Sequence, residues 1–313
     1  MRSNSSIHFY FHLALFADFG NVRYLFFTLS LLLYMTIICA NVVIIVTVCL
    51  EKSLHEPMYV FISCLSFNSL YGSAGFFPRF LIDILSETHL ISHLSCFIQV
   101  FVLYMYALCE ITILCIMAYD RFVAICQPLH YRSKMTFRMV LRLVVLAELY
   151  PACVCCFCIS LTIRLPLCGN KLHRLFCTNW PVVQLSCVDT TVNNIVGLIA
   201  VVATIFLPLI FVLYTYLRIL SVSRRSSRDI RKKALQTCLP HIVTFVNYSL
   251  SFVGELLLNR LRDDEINPFV IVVLSLEFLI IPPIINPLVY GLKLPQIKTK
   301  IFGYLRVIKR VKR

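Results

Sequence analysis

Residues 117–131 read MAYDRFVAICQPLHY and set an acid beside a base, Asp120 and Arg121, where a long apolar run nears its end at Pro128. The chemistry open to such a pair is switching rather than bond-making. A buried ion pair contributes little net stability, an ionisable pair at membrane depth marks a functional site, and a weakly held pair with alternative partners is a suitable two-state element. The plainer reading is that Arg121 snorkels to lipid headgroups. Glu110 lies in the same run, 10 residues or about three helical turns before Asp120. His130, His173 and His241 have no partners at catalytic spacing, and no hydrolase or kinase constellation appears, so the chain does not read as an enzyme. Most of the 15 cysteines lie in apolar segments and read as packing residues, but Cys96, Cys168, Cys177 and Cys187 stand apart. If these four face an oxidising compartment they suggest two disulfides, with three connectivities open; the alternative is one or two free thiols. His173 is nearby, yet the spacing is not that of a zinc site, so neither metal nor cofactor is expected.

The elements that must position these residues are membrane helices. The chain is 59% hydrophobic and only 14% charged, with a mean hydropathy of +0.85, which points to a bilayer as solvent. Seven segments approach the ~20 apolar residues that a span requires, at roughly 24–50, 58–83, 96–120, 139–163, 193–220, 235–258 and 268–292. Asn68, Arg79 and Glu110 interrupt the second and third. The N-terminus, broken by His8, His12 and Asp18, does not read as a signal peptide, so the first span is expected to act as an uncleaved anchor. With the N-terminus outside, 21 of the 29 Lys and Arg residues fall in inner loops, inner helix ends and the tail. The expected architecture is an all-α seven-helix membrane bundle: extracellular residues 1–23, a membrane domain over 24–292, and a basic cytoplasmic tail over 293–313. The net charge of +14 then belongs to the cytoplasmic face, where it attracts anionic lipid or an intracellular partner rather than nucleic acid. Asn4, in Asn4-Ser5-Ser6, is a glycosylation acceptor on the lumenal side. Cys96 and Arg121, 25 residues apart on one helix, are separated by ~37 Å, so the acid–base pair sits at the cytoplasmic mouth if Cys96 is at the outer surface.

Several local patterns agree on a family. MAYDRFVAICQPLHY resembles the third-span signature of vertebrate olfactory receptors, a branch of the rhodopsin-like G-protein-coupled receptors. LHEPMY (54–59) resembles their first inner loop and KALQTCLPH (233–241) the entry to their sixth span. PPIINPLVYGL (282–292) matches their seventh-span pattern through Pro283, Asn286, Pro287 and Tyr290, and the loop cysteines match their doubly bridged second outer loop. NSLYGSAGFFPRFL in the second span looks more like receptors of fishes than of mammals. The resemblance implies the pairings Cys96–Cys177 and Cys168–Cys187. It also implies an activation switch built from Asp120, Arg121, Tyr216, Asn286, Pro287 and Tyr290, in which Arg121 is held near Asp120 at rest and the sixth span swings out to admit a G-protein helix. Such receptors commonly carry a glutamate at the place of Glu110, facing an acid on the second span around a sodium ion. Here the acidic place falls at Ser69, beside Asn68, so Glu110 is read as a polar-core residue, paired with groups such as Asn286 or protonated, and no ion is assigned. Pro208, Pro240, Pro282, Pro283 and Pro287 loosen or kink the fifth to seventh spans.

The resemblance implies a small odorant as ligand, held in the outer half of the bundle among spans three, five, six and seven. Val100, Leu103, Tyr104, Ala107 and Leu108 share one face of the third span at helical spacing. Thr204, with Val201 and Ala203, is the candidate on the fifth; Tyr248, Ser249, Phe252 and Glu255 on the sixth; Phe278, with Leu274, on the seventh. For each, ordinary helix packing is the alternative. Leu103 stands where amine receptors carry an aspartate, which disfavours a biogenic amine, although Glu255, Asp263, Asp264 and Glu265 form an acidic rim that leaves a cationic or amino-acid-like odorant open. The expected partners are the odorant, a stimulatory heterotrimeric G protein that raises cAMP, and membrane lipid, at the plasma membrane of olfactory neuron cilia. The competing reading is a related receptor for a metabolite, lipid or peptide in another tissue. A retinal protein would need a Schiff-base lysine, which residues 268–292 lack, and no internal duplication suggests a transporter.

Overall fold

The structure, a computed structural model, describes residues 10–16, 20–224, 228–261, 267–294 and 296–303. Asn4, the acidic residues Asp263, Asp264 and Glu265, and the end of the basic tail lie outside the described residues. Among those described, seven helices are long and apolar enough to cross a membrane, matching the seven predicted segments. In chain order the elements are strand β1 (Tyr10–Leu13), α1 (Val22–Leu50), α2 (Pro57–Leu85), β2 (Leu90–Ser92), α3 (His93–Cys126), the short α4 (Tyr131–Lys134), α5 (Phe137–Ile163), β3 (Lys171–Leu172), α6 (Asn179–Val183), α7 (Thr191–Val201), α8 (Leu207–Arg224), α9 (Arg228–Arg260) and α10 (Pro268–Lys293). A π turn, Val202–Phe206, fuses α7 and α8 into one span.

Local chemistry sets the boundaries. Pro57 opens α2 at a position where no intrahelical N–H is needed. Ser92, Thr136 and Asn267 cap α3, α5 and α10 by accepting from Ser95, Met139 and Phe269 backbone N–H groups. In the fifth span, Pro208 has no N–H to give the carbonyl of Thr204, and its ring would press on that carbonyl. The wider π turn just before it absorbs the conflict and leaves Thr204 and Ile205 buried.

The third span is the axis of the bundle. It packs against α2, α5, α8 and α9, and Leu103, Tyr106, Ala107, Glu110, Ile113, Met117 and Asp120 are buried along it. Two glycines set how close α2 comes. A Cβ on Gly72 would meet the Tyr106 ring at 2.4 Å, and one on Gly75 would meet Val102 Cγ1 at 2.3 Å. Gly254, in α9, has nothing within 4 Å of its Cβ position. Gly72→Val is therefore expected to cost about 1–3 kcal/mol by overpacking and to lower the amount of folded protein in membranes, whereas Gly254→Ala leaves it unchanged or raised. Fluorescence-detected size-exclusion profiles of the two variants test this. Equal profiles would show that the glycines do not govern the approach.

At one end of the bundle β1 lies between β2, antiparallel, and β3, parallel. The segment before the first span thus adds a strand that hydropathy does not reveal. Phe11 and Leu13 are fully buried in a cluster with Ile91, Val100, Leu172 and Val182, and Phe11 stacks on His93 at 4.2 Å.

Candidate ligand cavity and switch

Both disulfides are at that same end. Cys96 is joined to Cys177 and Cys168 to Cys187, with Cα–Cα distances of 5.4 and 5.2 Å. The first ties the loop after α5 to the start of α3, and the Cys177 N–H donates to Gln99 Oε1 at 3.0 Å. The loop then closes over the bundle. Buried Arg174 donates to Asn259 Oδ1 and to the Leu258 carbonyl, both at 3.1 Å, so the lid grips the end of α9. Asn259 donates in turn to Glu255 at 3.2 Å, and Ser275 of α10 donates to the same carboxylate at 2.9 Å.

Beneath the lid lies a cavity of about 280 Å³ between α3, α5, α7, the π turn and α9. Its walls include Val100, Tyr104, Leu108, Ile159, Thr204 and Phe252. A smaller space of about 10 Å³, room for one water-sized group, adjoins it toward α10 and is lined by Leu103, Ala107, Phe176, Thr178, Glu255 and Phe278. Tyr104, Phe252, Leu256 and Asn259 border both.

Deeper in the bundle, Glu110 is fully buried. Asn68 Nδ2 donates to its Oε2 at 2.8 Å and Asn286 Nδ2 to its Oε1 at 2.5 Å, which joins α2, α3 and α10 through one carboxylate. Ser69, at the place where the resemblance puts an acid, is buried, and among the described residues its hydroxyl has no hydrogen-bond partner. The expected contact between Glu110 and Asn286 is thus formed. Pro287 leaves the Pro283 carbonyl without its intrahelical donor, and Asn41 Nδ2 of α1 supplies one at 3.0 Å.

At the opposite end Asp120 is fully buried and holds Arg121, whose Nε donates at 2.9 Å and whose Nη2 also donates. Tyr131 of α4, the last residue of the MAYDRFVAICQPLHY stretch, donates its hydroxyl to the other Asp120 oxygen at 2.8 Å. Burial and the adjacent carboxylate push the Tyr131 pKa up, so this hydroxyl stays protonated and available to donate. Tyr290 is held elsewhere, bonded to Thr244 Oγ1 at 2.8 Å and His241 Nδ1 at 3.1 Å of α9, and Tyr216 is buried nearby. Neither tyrosine is hydrogen-bonded to Arg121. The arginine is thus committed to its own neighbour, and α9 is tied to α10 through Tyr290.

Comparison with known proteins fixes the family. The olfactory receptor family profile matches residues 30–307. The chain is 37% identical over 277 residues to mouse Olfactory receptor 4E2, covering 88% of each, and 34% identical over 280 residues to human Olfactory receptor 51I2, covering 88% of this chain and 89% of that one. The chain belongs to the olfactory receptor family. The fold of this receptor is that of squid rhodopsin, with a TM-score of 0.74 at 16% identity over 95% of this chain and 89% of the other. It is thus a multi-pass membrane receptor rather than an enzyme, taking a small-molecule ligand and coupling to a G protein as its family does.

Most of the expected ligand set borders these spaces. Leu103, Tyr104, Ala107, Leu108, Thr204, Phe252 and Phe278 do border one space or the other, as does Glu255. Tyr248 and Ser249 do not. The Tyr248 hydroxyl donates to the Ala107 carbonyl at 3.0 Å, and its ring packs with Tyr106, Phe252 and Phe278. Ser249 is buried one helical turn before Phe252 and Val253, which line the cavity. Ala203 and Leu274 also fall outside the lining. Conversely, the fourth span contributes Val154, Cys155, Cys158 and Ile159, and the lid contributes Asn179 and Trp180, none of which had been singled out as ligand contacts. The i, i+3, i+4 spacing of Cys155, Cys158 and Ile159 was the available signal for the fourth span. The lid residues carry no periodic signal.

Proposed function

We propose that this olfactory receptor binds a small, largely apolar odorant in the lid-covered cavity and activates a stimulatory G protein that raises cAMP. In this reading the N-terminus and lid face outward, with Asn4 glycosylated, and the tail over 293–313 is cytoplasmic. The basic face lies against anionic lipid at the plasma membrane of olfactory cilia. Residues 1–23 and 24–292 are then the outer segment and the membrane receptor domain. The observation that carries the proposal is the pairing of two separated features on shared helices. The cavity at one end and the Asp120–Arg121 pair at the other are both built on α3, and α9 reaches from Asn259 at the cavity to His241 at Tyr290. A ligand that binds better when α9 has moved shifts the population toward the state in which Tyr290 leaves His241 and Arg121 leaves Asp120.

Expression with a cAMP reporter and an odorant panel tests this. Odorant-dependent cAMP is expected, lost in Arg121→Ala, while Asp120→Asn weakens the restraint and raises basal cAMP several-fold. If no odorant acts on surface-expressed protein, and Arg121→Ala leaves basal signal unchanged, the proposal fails.

A further inference from the structure

The larger cavity is closed above and open at its side. Above it, Arg174 to Thr178 form an unbroken buried run, tied by Cys177 to Cys96 and by Arg174 and Thr178 to Asn259. The Arg260 guanidinium, also in the wall, lies 3.8 Å from the centroid of the Trp180 ring and donates to Asn194 of α7. This clasp joins the outer ends of α7 and α9. Beneath it the two helices part. Among the described residues, α7 packs on α5 and meets α9 only sparsely, whereas α8 and α9 pack together further in. Three side chains of the cavity wall are also exposed on the outside of the bundle: Leu198 of α7 (51%), Phe206 of the π turn (46%) and Leu257 of α9 (61%). A side chain can border an internal space and face outward only where the wall is interrupted. Helical spacing locates the interruption. Leu198 is one turn further in than Asn194, and Leu257 one turn further in than Arg260, so the two leucines edge the same gap about 5 Å below the clasp. Gly197 adds no side chain there, and outside α7 a Cβ on it would meet only Arg260 Nη2, at 3.3 Å, among the described residues. The slot is therefore edged by apolar groups and a glycine. Arg260 ends the sixth span, so the slot opens inside the apolar part of the bundle, where its surroundings are lipid tails.

We propose that the odorant enters the cavity from the outer leaflet of the bilayer, through the slot between the fifth and sixth spans beneath the Arg260–Asn194 clasp, and not through the lid. The proposal rests on the receptor reading above and adds a ligand class to it. The ligand is a neutral molecule that partitions into lipid and is slim enough to pass between Leu198 and Leu257. A molecule of fixed charge is kept out by the cost of leaving water for hydrocarbon before it ever meets the cavity wall. The route changes how fast the cavity fills and leaves the equilibrium affinity alone, so the test is kinetic.

The free thiol of Cys155 is the reporter, because it is buried and lines the cavity. Membranes holding the full-length receptor are treated from outside with neutral methyl methanethiosulfonate or with its trimethylammonium-ethyl analogue. Modification of Cys155 is followed by peptide mass spectrometry, each rate scaled to that of a free aqueous thiol. The neutral reagent is expected to modify Cys155, and the charged one to be slower by roughly tenfold or more. Leu198→Trp/Leu257→Trp fills the slot from both edges and is expected to slow the neutral reagent about tenfold. Leu250→Trp, at an exposed position on the same helix away from the cavity, should leave the rate unchanged. Equal scaled rates for the two reagents would show an aqueous path through the lid and overturn the proposal. So would an unchanged neutral rate in the double variant, or a Cys155 that neither reagent reaches in the native receptor while both modify it in the unfolded chain. The contrast between reagents on the wild-type receptor decides the question even if the tryptophan pair reaches the membrane poorly. Labelling needs no G protein, so a receptor that labels as expected but gives no odorant-dependent cAMP strikes at the receptor reading and leaves the route standing.

Discussion

Cys96→Ser is expected to remove most of the folded receptor from the cell surface, and to do so more completely than Cys168→Ser. Both bonds tether the same lid, but they close loops of different length. The Cys96–Cys177 bond spans a sequence separation of 81 residues and the Cys168–Cys187 bond one of 19. A native disulfide typically contributes about 2–5 kcal/mol, and the chain-entropy relation gives the longer closure about 1 kcal/mol more than the shorter. Packing adds to the difference. Cys96 and Cys177 are fully buried beside Phe11, Leu13, Val100 and Val182, and the Cys177 N–H is held by Gln99. Losing the tether loosens α3, the lid and β1 together. It also releases the Arg174 and Thr178 contacts to Asn259 that shape the cavity. Surface labelling and the thermal lifetime of detergent-solubilised protein measure the effect. Because both cysteines of a pair act as one unit, Cys96→Ser/Cys177→Ser should be no worse than either single change. Equal surface levels for Cys96→Ser and Cys168→Ser would refute the ranking.

Glu110→Leu is expected to destabilise the bundle by about 2 kcal/mol and to disturb signalling, whereas Glu110→Gln is tolerated. Among the described residues the carboxylate is the one acceptor for the Asn286 amide and one of two for Asn68, which also donates to the Tyr106 carbonyl at 3.0 Å. An orphaned buried amide costs about 1–3 kcal/mol, and removing the buried carboxylate's own desolvation offsets part of that. Glutamine can accept from Asn68 through its oxygen and donate to Asn286 once that amide turns over. Asn286 sits one residue before Pro287 and four before Tyr290, so its release from α3 frees the segment of α10 that carries Tyr290. The expected readings are a thermal inactivation point lower by a few degrees and an altered basal cAMP for Glu110→Leu. Adding Asn68→Leu to Glu110→Leu removes one orphan and should recover part of the stability. A Glu110→Leu receptor as stable as wild type would show that the three-helix junction is not held by this group.

The parts of the fold that follow from solvent were legible along the chain. A bilayer requires long apolar helices, so seven of them can be counted, and the basic residues supply an expected orientation. Helix rise alone separates Cys96 from Arg121, and the two do lie at opposite ends of α3. The ligand wall was legible only in part. Spacing on one helix says which residues share a face but not how deep the space beside that face extends. Tyr248 and Ser249 line neither space, and the Tyr248 hydroxyl reaches instead to the Ala107 carbonyl, a contact between residues 141 positions apart. β1 was invisible for a related reason, since a four-residue strand becomes stable only when β2 and β3 supply its hydrogen bonds.

By itself, the amino-acid order determined the family, the seven spans and the chemical kind of each special residue: an acid–base pair at a helix end, an acid within a span without a second acid at Ser69, and a loop rich in cysteine. Only the tertiary structure decided partners. It brought Asn68 as well as Asn286 onto Glu110, added Tyr131 to the Asp120–Arg121 pair, and left the Trp180 indole N–H without an acceptor among the described residues. The physical reason is that burial in lipid is a property of a segment, which local composition carries. A hydrogen bond is a property of two groups brought within about 3 Å, and that proximity exists only after the helices have packed.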